Sequence, residues 1–359
     1  MLRNLWNKLR KPKDPESLIQ PQIRELQYKE ELKEERERAA VNLLSPTQIE
    51  EVISNNTDID FLRSEMKKKM NKVDIPYIIN QLKPIIKDRP KKNIDPKEIV
   101  IGNIIGDIIG SKYEGIHHNY ELSKTEPLPP KHSKYTDDTV LSIATMKAIM
   151  EAPDQPDYRK HYIEMYHKYP RAGYGPSFID WALNEIDNTK GYHSIGNGAA
   201  MRLSFIPAYY EDLDRVMEET VNSVMPTHNH IESVKYSLVL SVCLWMLLHN
   251  YDKKEIEEYC NKHCRTDPKL YYSDYHYEWD KPLTDIKVKN SLMINYAVPY
   301  AIKCFLETNS YEECMREILS RFGDTDTICA IAGGLCIAYY GETGLDNEKI
   351  LRDHNVPIE

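Results

Sequence analysis

The first 101 residues contain no glycine; all 14 lie at or after Gly102. A compositional break of that size marks a boundary between two regions. Long apolar runs are missing as well. None reaches the roughly 18 residues that span a bilayer, and the best, Tyr236 to Leu248 (YSLVLSVCLWMLL), reads as a buried core helix. No transmembrane segment is expected, and the protein should be soluble. The opening MLRNLWNKLRKPKD places charges where a secretory signal carries an apolar stretch. Excess positive charge is lacking too: the net charge is -9 and the pI near 5.8, which argues against generic nucleic-acid binding. A local basic patch remains compatible with that balance. Seven cysteines, an odd number in a chain this long, do not form a disulfide framework. A reducing, cytoplasmic compartment fits them.

What is present divides at about Lys97. Met1 to Lys97 holds 21 basic and 16 acidic residues, net +5, leaving the remainder at net -14. Arg24 to Ala40 is rich in helix formers with opposite charges three and four residues apart, a solvated helix. Ser45-Pro46 opens a second helix as N-cap and first position, and a third covers Asp60 to Asn71. Leu2, Leu5, Trp6 and Leu9 share one helical face, which suits docking on protein better than membrane attachment. Residues 1–97 are thus expected to be a charged helical extension, and Asp88 to Pro96 (DRPKKNIDP) a linker. In residues 98–359 apolar residues recur at helical spacing, as in Val140, Ile143, Ala144 and Ala148, with no strand alternation of useful length and no internal repeat. The expected fold is compact, multi-helix and all-α. Cys260, His263 and Cys264 (CNKHC) invite a zinc reading, but no second pair at finger spacing follows, so a helix face is favoured.

Four segments resist a purely structural reading: Gly106 to Gly110 (GDIIG) with Glu114 after it, Thr136-Asp137-Asp138-Thr139, Ser194 to Arg202 (SIGNGAAMR), and Gly323 to Thr327 (GDTDT). Both acidic clusters precede apolar helical stretches, where the helix N-terminus stabilises negative charge. Capping needs one acid. Each cluster has two beside threonine hydroxyls, the oxygen-donor set that hard divalent cations take. The Gly196-Asn197-Gly198 turn, followed by a helix from about Ala199, can cradle phosphate, although the same tripeptide is an ordinary turn. Arg202 would pair with phosphate or tie the loop down.

The order GDxxG with a following glutamate, TDDT, GNGAAMR, Thr227-His228 and GDTDT ahead of an alanine- and glycine-rich helix resembles the ADP-ribosylglycohydrolase family, over roughly Ile101 to Gly344. The bacterial branch that includes the dinitrogenase reductase-activating glycohydrolase looks most similar. The resemblance implies an all-α domain with a central binuclear site, two Mg²⁺ or Mn²⁺, that releases ADP-ribose from a modified protein side chain. By position, Thr136, Asp137 and Asp138 would bind metal from one side and Asp324, Asp326 and Thr327 from the other. Ser194, Ile195, Gly196, Asn197 and Gly198 would hold the diphosphate, with His228 beside the ADP-ribose. Glu114 matches a mobile-loop glutamate, while Asp107 shapes the first loop. Two positions depart from the pattern: Phe322 stands where a second glycine is common, and His193 where some members have glycine. Neither removes a ligand, and both could reshape the substrate groove.

Hydrolysis at the anomeric carbon needs an activated water, and Asp138, Asp326 or Glu114 would take its proton; the sequence does not choose among them. Arginine is the favoured acceptor. Two other readings stand beside this one: a non-catalytic ADP-ribose-binding relative, and an immunity-type protein whose N-terminal extension docks on an ADP-ribosylating toxin.

Overall fold

A computed structural model describes residues 74–115, 124–264, 279–283, 291–321 and 323–358. The helices expected within residues 1–73, the amphipathic start, any toxin-docking role built on them, and Phe322 lie outside the described residues. The described residues are all-α, as the periodicity and the resemblance imply. Their sole β pairing is an isolated bridge between Gly196 and Met293.

Among the described residues thirteen α-helices follow in chain order: α1 (Ile75–Leu82), α2 (Pro96–Gly110), α3 (Asp137–Glu151), α4 (Tyr158–Lys168), α5 (Pro176–Ala182), α6 (Phe205–Tyr209), α7 (Leu213–Val224), α8 (Ile231–Leu248), α9 (Lys253–His263), α10 (Ile294–Glu307), α11 (Tyr311–Leu319), α12 (Thr325–Tyr340) and α13 (Asn347–Asp353). Local chemistry sets many of their starts. Asp95 accepts from Lys97 N with Pro96 at the first position of α2, and Asp252 and Glu255 form a capping box on α9. The core is built around α2, α8 and α12, each buried on most sides. α8 is long and apolar enough to cross a membrane by composition, yet it is almost wholly buried in the protein, as its YSLVLSVCLWMLL stretch suggests.

The glycines of GDIIG act inside a helix rather than in a loop. Gly102, Gly106 and Gly110 face α12, and a Cβ on Gly106 would fall 2.1 Å from the Cys329 carbonyl oxygen. Gly333 answers from the other helix, where a Cβ would fall 2.3 Å from the Gly102 carbonyl. Backbone therefore meets backbone, and this brings the end of α2 against the start of α12. Thr325 Oγ1 seals the contact by donating to the Gly110 carbonyl at 2.8 Å.

Residues 83–95 run without helix and are tied to the core. Arg89 donates from Nη1 and Nη2 to the two Glu255 carboxylate oxygens at 2.7 and 2.8 Å, and Lys92 Nζ donates to the Ala338 and Tyr339 carbonyls at the end of α12. All seven cysteines are free and buried. Cys260 and Cys264 face the core, and His263 packs its ring on Tyr259 at 4.6 Å.

Candidate active site

Both acidic clusters sit at helix starts, and neither is used up by capping. On α3 the cap is Thr136, whose Oγ1 accepts from Asp138 N, leaving Asp137 and Asp138 in the first turn. On α12 Asp324 occupies the N-cap position without a side-chain cap hydrogen bond. The carboxylates are held at positive helix ends but are left for something else.

Tertiary packing joins the clusters. Asp138 Oδ2 receives Thr327 Oγ1 at 3.2 Å, linking α3 to α12. Asp107, buried in the last turns of α2, accepts from Thr136 N (2.8 Å) and Thr139 N (3.2 Å) and from the Thr139 and Thr136 hydroxyls. Three of these donors converge on Oδ2 and one on Oδ1, so Asp107 organises the α3 start chiefly through Oδ2. It acts from a helix, where sequence alone suggested a loop.

Carboxylate oxygens of Asp107, Asp138 and Asp326 lie within 4.8 Å of one another, as do those of Glu114, Asp324 and Asp326. Burial, then Asp326, pushes Asp107 up to about 7. Burial, followed by Asp326 and Asp107, pushes Asp137 up to about 8. Asp138 and Asp326 move well upward, each from burial first, then from Asp107 and Asp324 respectively. Asp324 also rises through burial, opposed by hydrogen bonds from Asp326 and Asn197. So many carboxylates in one low-dielectric place demand protons or a cation. Asp138 Oδ1 distinguishes the two: it is buried without a hydrogen-bond partner among the described residues, an orphan acceptor that a hard cation satisfies. The oxygen-only donor set fits a divalent ion of the magnesium or manganese kind.

The cluster forms one wall of a cavity of about 550 Å³. Every residue assigned to the site from sequence lines it: Glu114, Thr136, Asp137, Asp138, Ser194 to Gly198, His228, Asp324, Asp326 and Thr327. Glu114 is exposed at the mouth.

The Gly-Asn-Gly segment does not lead into an α-helix at Ala199. It forms a single 3₁₀ turn, Asn197–Ala199, and the next helix is α6. The Met201 carbonyl is taken instead by Asn103 Nδ2 at 2.8 Å, which draws this stretch toward α2. Two of the loop's amides are already engaged: Gly196 N donates to Ser194 Oγ and Asn197 N to the Leu292 carbonyl. Asn197 Nδ2 donates to Asp324 Oδ2 at 2.6 Å and to the Ser291 carbonyl at 2.8 Å. Loop and acid cluster are thereby one unit. His193, just before the loop, has φ of 60°, a left-handed conformation that favours glycine.

His228 is buried, and burial followed by the Arg202 charge lowers its pKa well below the usual value; it is neutral at pH 7. Thr227 Oγ1 lies 2.7 Å from His228 Nδ1 and receives Arg202 Nη2 at 2.7 Å. Arginine only donates, and among the described residues the buried Thr227 hydroxyl has no acceptor other than Nδ1, so its proton goes there and we assign the imidazole proton to Nε2, the side facing Gly196 and Gly198. Arg202 pairs with no acid among the described residues. It lies over the Tyr162 ring at 4.0 Å, with Nε and Nη1 lacking partners among the described residues.

Several lining residues carried no sequence signal. Tyr174 and Phe178 stack at 5.1 Å and, with Tyr192, line the cavity. Only the glycines flanking Tyr174 hinted at a turn there. Ser291, Leu292 and Met293 had no distinguishing pattern, yet they hold the loop.

A threonine-and-aspartate cluster able to hold a hard cation, sharing a cavity with a glycine loop and a neutral histidine, is the arrangement this all-helical domain presents. The chain belongs to the ADP-ribosylglycohydrolase family, whose sequence model matches residues 97–353. Among relatives, ADP-ribosylhydrolase ARH3 of Mus musculus is 24% identical over 304 residues, covering 67% of this chain and 82% of that protein. ADP-ribosylarginine hydrolase Tri1 of Pseudomonas putida (strain GB-1) is 22% identical over 281 residues, covering 73% and 75%. The bacterial branch thus has weaker support than the family. A solved structure described as an ADP-ribosylglycohydrolase-related protein complex superposes with a TM-score of 0.55 at 20% identity, covering 74% of this chain and 95% of that one, and shows the same fold.

Proposed function

We propose that this domain hydrolyses the bond between ADP-ribose and a protein side chain, with arginine the favoured acceptor, in a reaction that depends on two Mg²⁺ or Mn²⁺ ions. The observation that carries this reading is the orphan Asp138 Oδ1 within an acid cluster, in the same cavity as the 194–198 loop and His228. Family membership and the names of the relatives support it.

Thr136, Asp137, Asp138, Asp324, Asp326 and Thr327 would hold the cations, which when bound supply Lewis acidity and a water of lowered pKa. Ser194 Oγ accepts from Gly196 N and keeps its own proton to donate toward a diphosphate oxygen. His228 offers Nε2–H from the same side. Asn197, anchored on Asp324, couples the position of the diphosphate end to the acid cluster, which places the distal ribose against the carboxylates. Of the three carboxylates that could accept the water's proton, Asp138 and Asp326 are buried as cation holders. Glu114, exposed at the mouth, takes the role of general base.

Incubation of the protein and Mg²⁺ with ADP-ribosylarginine, ADP-ribosylserine and O-acetyl-ADP-ribose, followed by mass spectrometry, tests the proposal. Release of ADP-ribose from the arginine conjugate is expected, and release from none of the three rejects it. Glu114→Gln should lower kcat more than it raises KM.

A further inference from the structure

A second groove, of about 570 Å³, shares Lys134 and Ala172 with the catalytic cavity. Both shared residues lie at the acid end. Lys134 stands two residues before Thr136, and Ala172 precedes Gly173, where a Cβ would come 3.4 Å from Asp137 Oδ1. The groove therefore leaves the cavity where the scissile bond is expected, away from Ser194 and His228.

Its charge differs from that of the surrounding protein. Lys134 and Arg171 line it against one acid, Asp353, and Lys168 sits over the lining ring of Tyr169 at 5.4 Å. Lys134, Lys168 and Arg171 are exposed, and none forms an ion pair among the described residues. In a chain whose residues after Lys97 carry net -14, three unpaired cations beside the catalytic mouth form the local basic patch that the overall charge left open.

We infer that this groove binds the acceptor protein on either side of the modified residue, and that it selects segments rich in aspartate or glutamate. The inference rests on the proposed hydrolase function, which fixes the cavity end from which the acceptor departs. A short acidic segment meets only the local patch. A long polyanion such as nucleic acid would also meet the negative field of the whole chain, net -9.

The test uses the full chain with Mg²⁺ and five substrates: ADP-ribosylarginine alone, ADP-ribosylated peptides of one length flanked by Glu, Ala or Lys, and an ADP-ribosylated oligonucleotide. Exposed charge pairs contribute up to about 1 kcal/mol each, so kcat/KM should fall about threefold to tenfold from Glu to Lys flanks. Arg171→Glu should lower turnover of the Glu-flanked peptide by a similar factor, raise that of the Lys-flanked peptide, and leave the single amino-acid conjugate unchanged. Raising the salt concentration should compress the preference. Equal rates for all three flanks, or an Arg171→Glu effect of the same size on the conjugate, would overturn the inference while the hydrolase function stands. An ADP-ribosylated oligonucleotide turned over faster than the Glu-flanked peptide would overturn it too. If neither ADP-ribosylarginine nor any of the peptides is hydrolysed, the arginine acceptor and this inference fall together, while the serine and O-acetyl conjugates still test the hydrolase function.

Discussion

The two ends of the catalytic cavity are built on opposite principles. At the acid end, buried carboxylates crowd together and one oxygen, Asp138 Oδ1, lacks a partner. At the other end, a neutral His228, a serine hydroxyl and the ring of Tyr192, 5.8 Å from the imidazole, present donors and shape with no acid among them. The first end keeps an open oxygen that the proposed cation would fill. The second is complete by itself and can be altered with little effect on the first, except through the Asn197–Asp324 hydrogen bond.

That contrast is broken most strongly at Asp138. Asp138→Asn removes an anionic ligand, and because a bound metal stabilises developing charge by several kcal/mol, turnover should drop on the order of a thousandfold with weaker Mn²⁺ binding by calorimetry. Near-normal turnover of ADP-ribosylarginine by that variant would show the cluster to be structural. Next comes the frame that joins the ends of α2 and α12. Gly106→Val forces a side chain into the Cys329 backbone, where overpacking costs about 1–3 kcal/mol or more. A denaturant midpoint equal to wild type would mean that the two helices can separate at no cost.

At the neutral end, His228→Ala should raise KM about tenfold or more, the worth of one hydrogen bond to a charged group, while Mn²⁺ affinity stays unchanged. A parallel loss of metal binding would show that the ends are not separable. The smallest effect is a slope with pH. Folded-state values raised from 3.8 to about 7 for Asp107 and about 8 for Asp137 mean that the folded protein binds the extra protons. Their contribution is fully present below about pH 4 and lost as pH rises toward 8. Melting temperature in chelator should therefore fall across that window, and added Mg²⁺ should restore it most at the alkaline side. A flat profile in chelator would contradict the crowding.

Much of this was legible in the residues. Thr136 to Thr139 and Asp324 to Thr327 announced themselves because two acids beside hydroxyls exceed what a helix start needs, and helical periodicity after Ile101 carried the all-α architecture. The GDIIG glycines were legible as special but not as a helix contact, since the partner backbone at Cys329 lies more than 200 residues away. Tyr174 and Ser291 to Met293 escaped notice because their roles depend on what folds against them.

By itself, then, the sequence determined the helical class, the oxygen-donor chemistry and the acidic clusters at the starts of α3 and α12, all of which follow from neighbours within a turn or two. Tertiary structure alone decided how the oxygens are shared: that Asp107 is held by Thr136 and Thr139, that Asn197 binds Asp324, that His228 is neutral with its Nδ1 toward Thr227, and that Asp138 keeps one oxygen open. Hydrogen-bond allocation and desolvation depend on groups brought together from distant parts of the chain, and no local pattern encodes them.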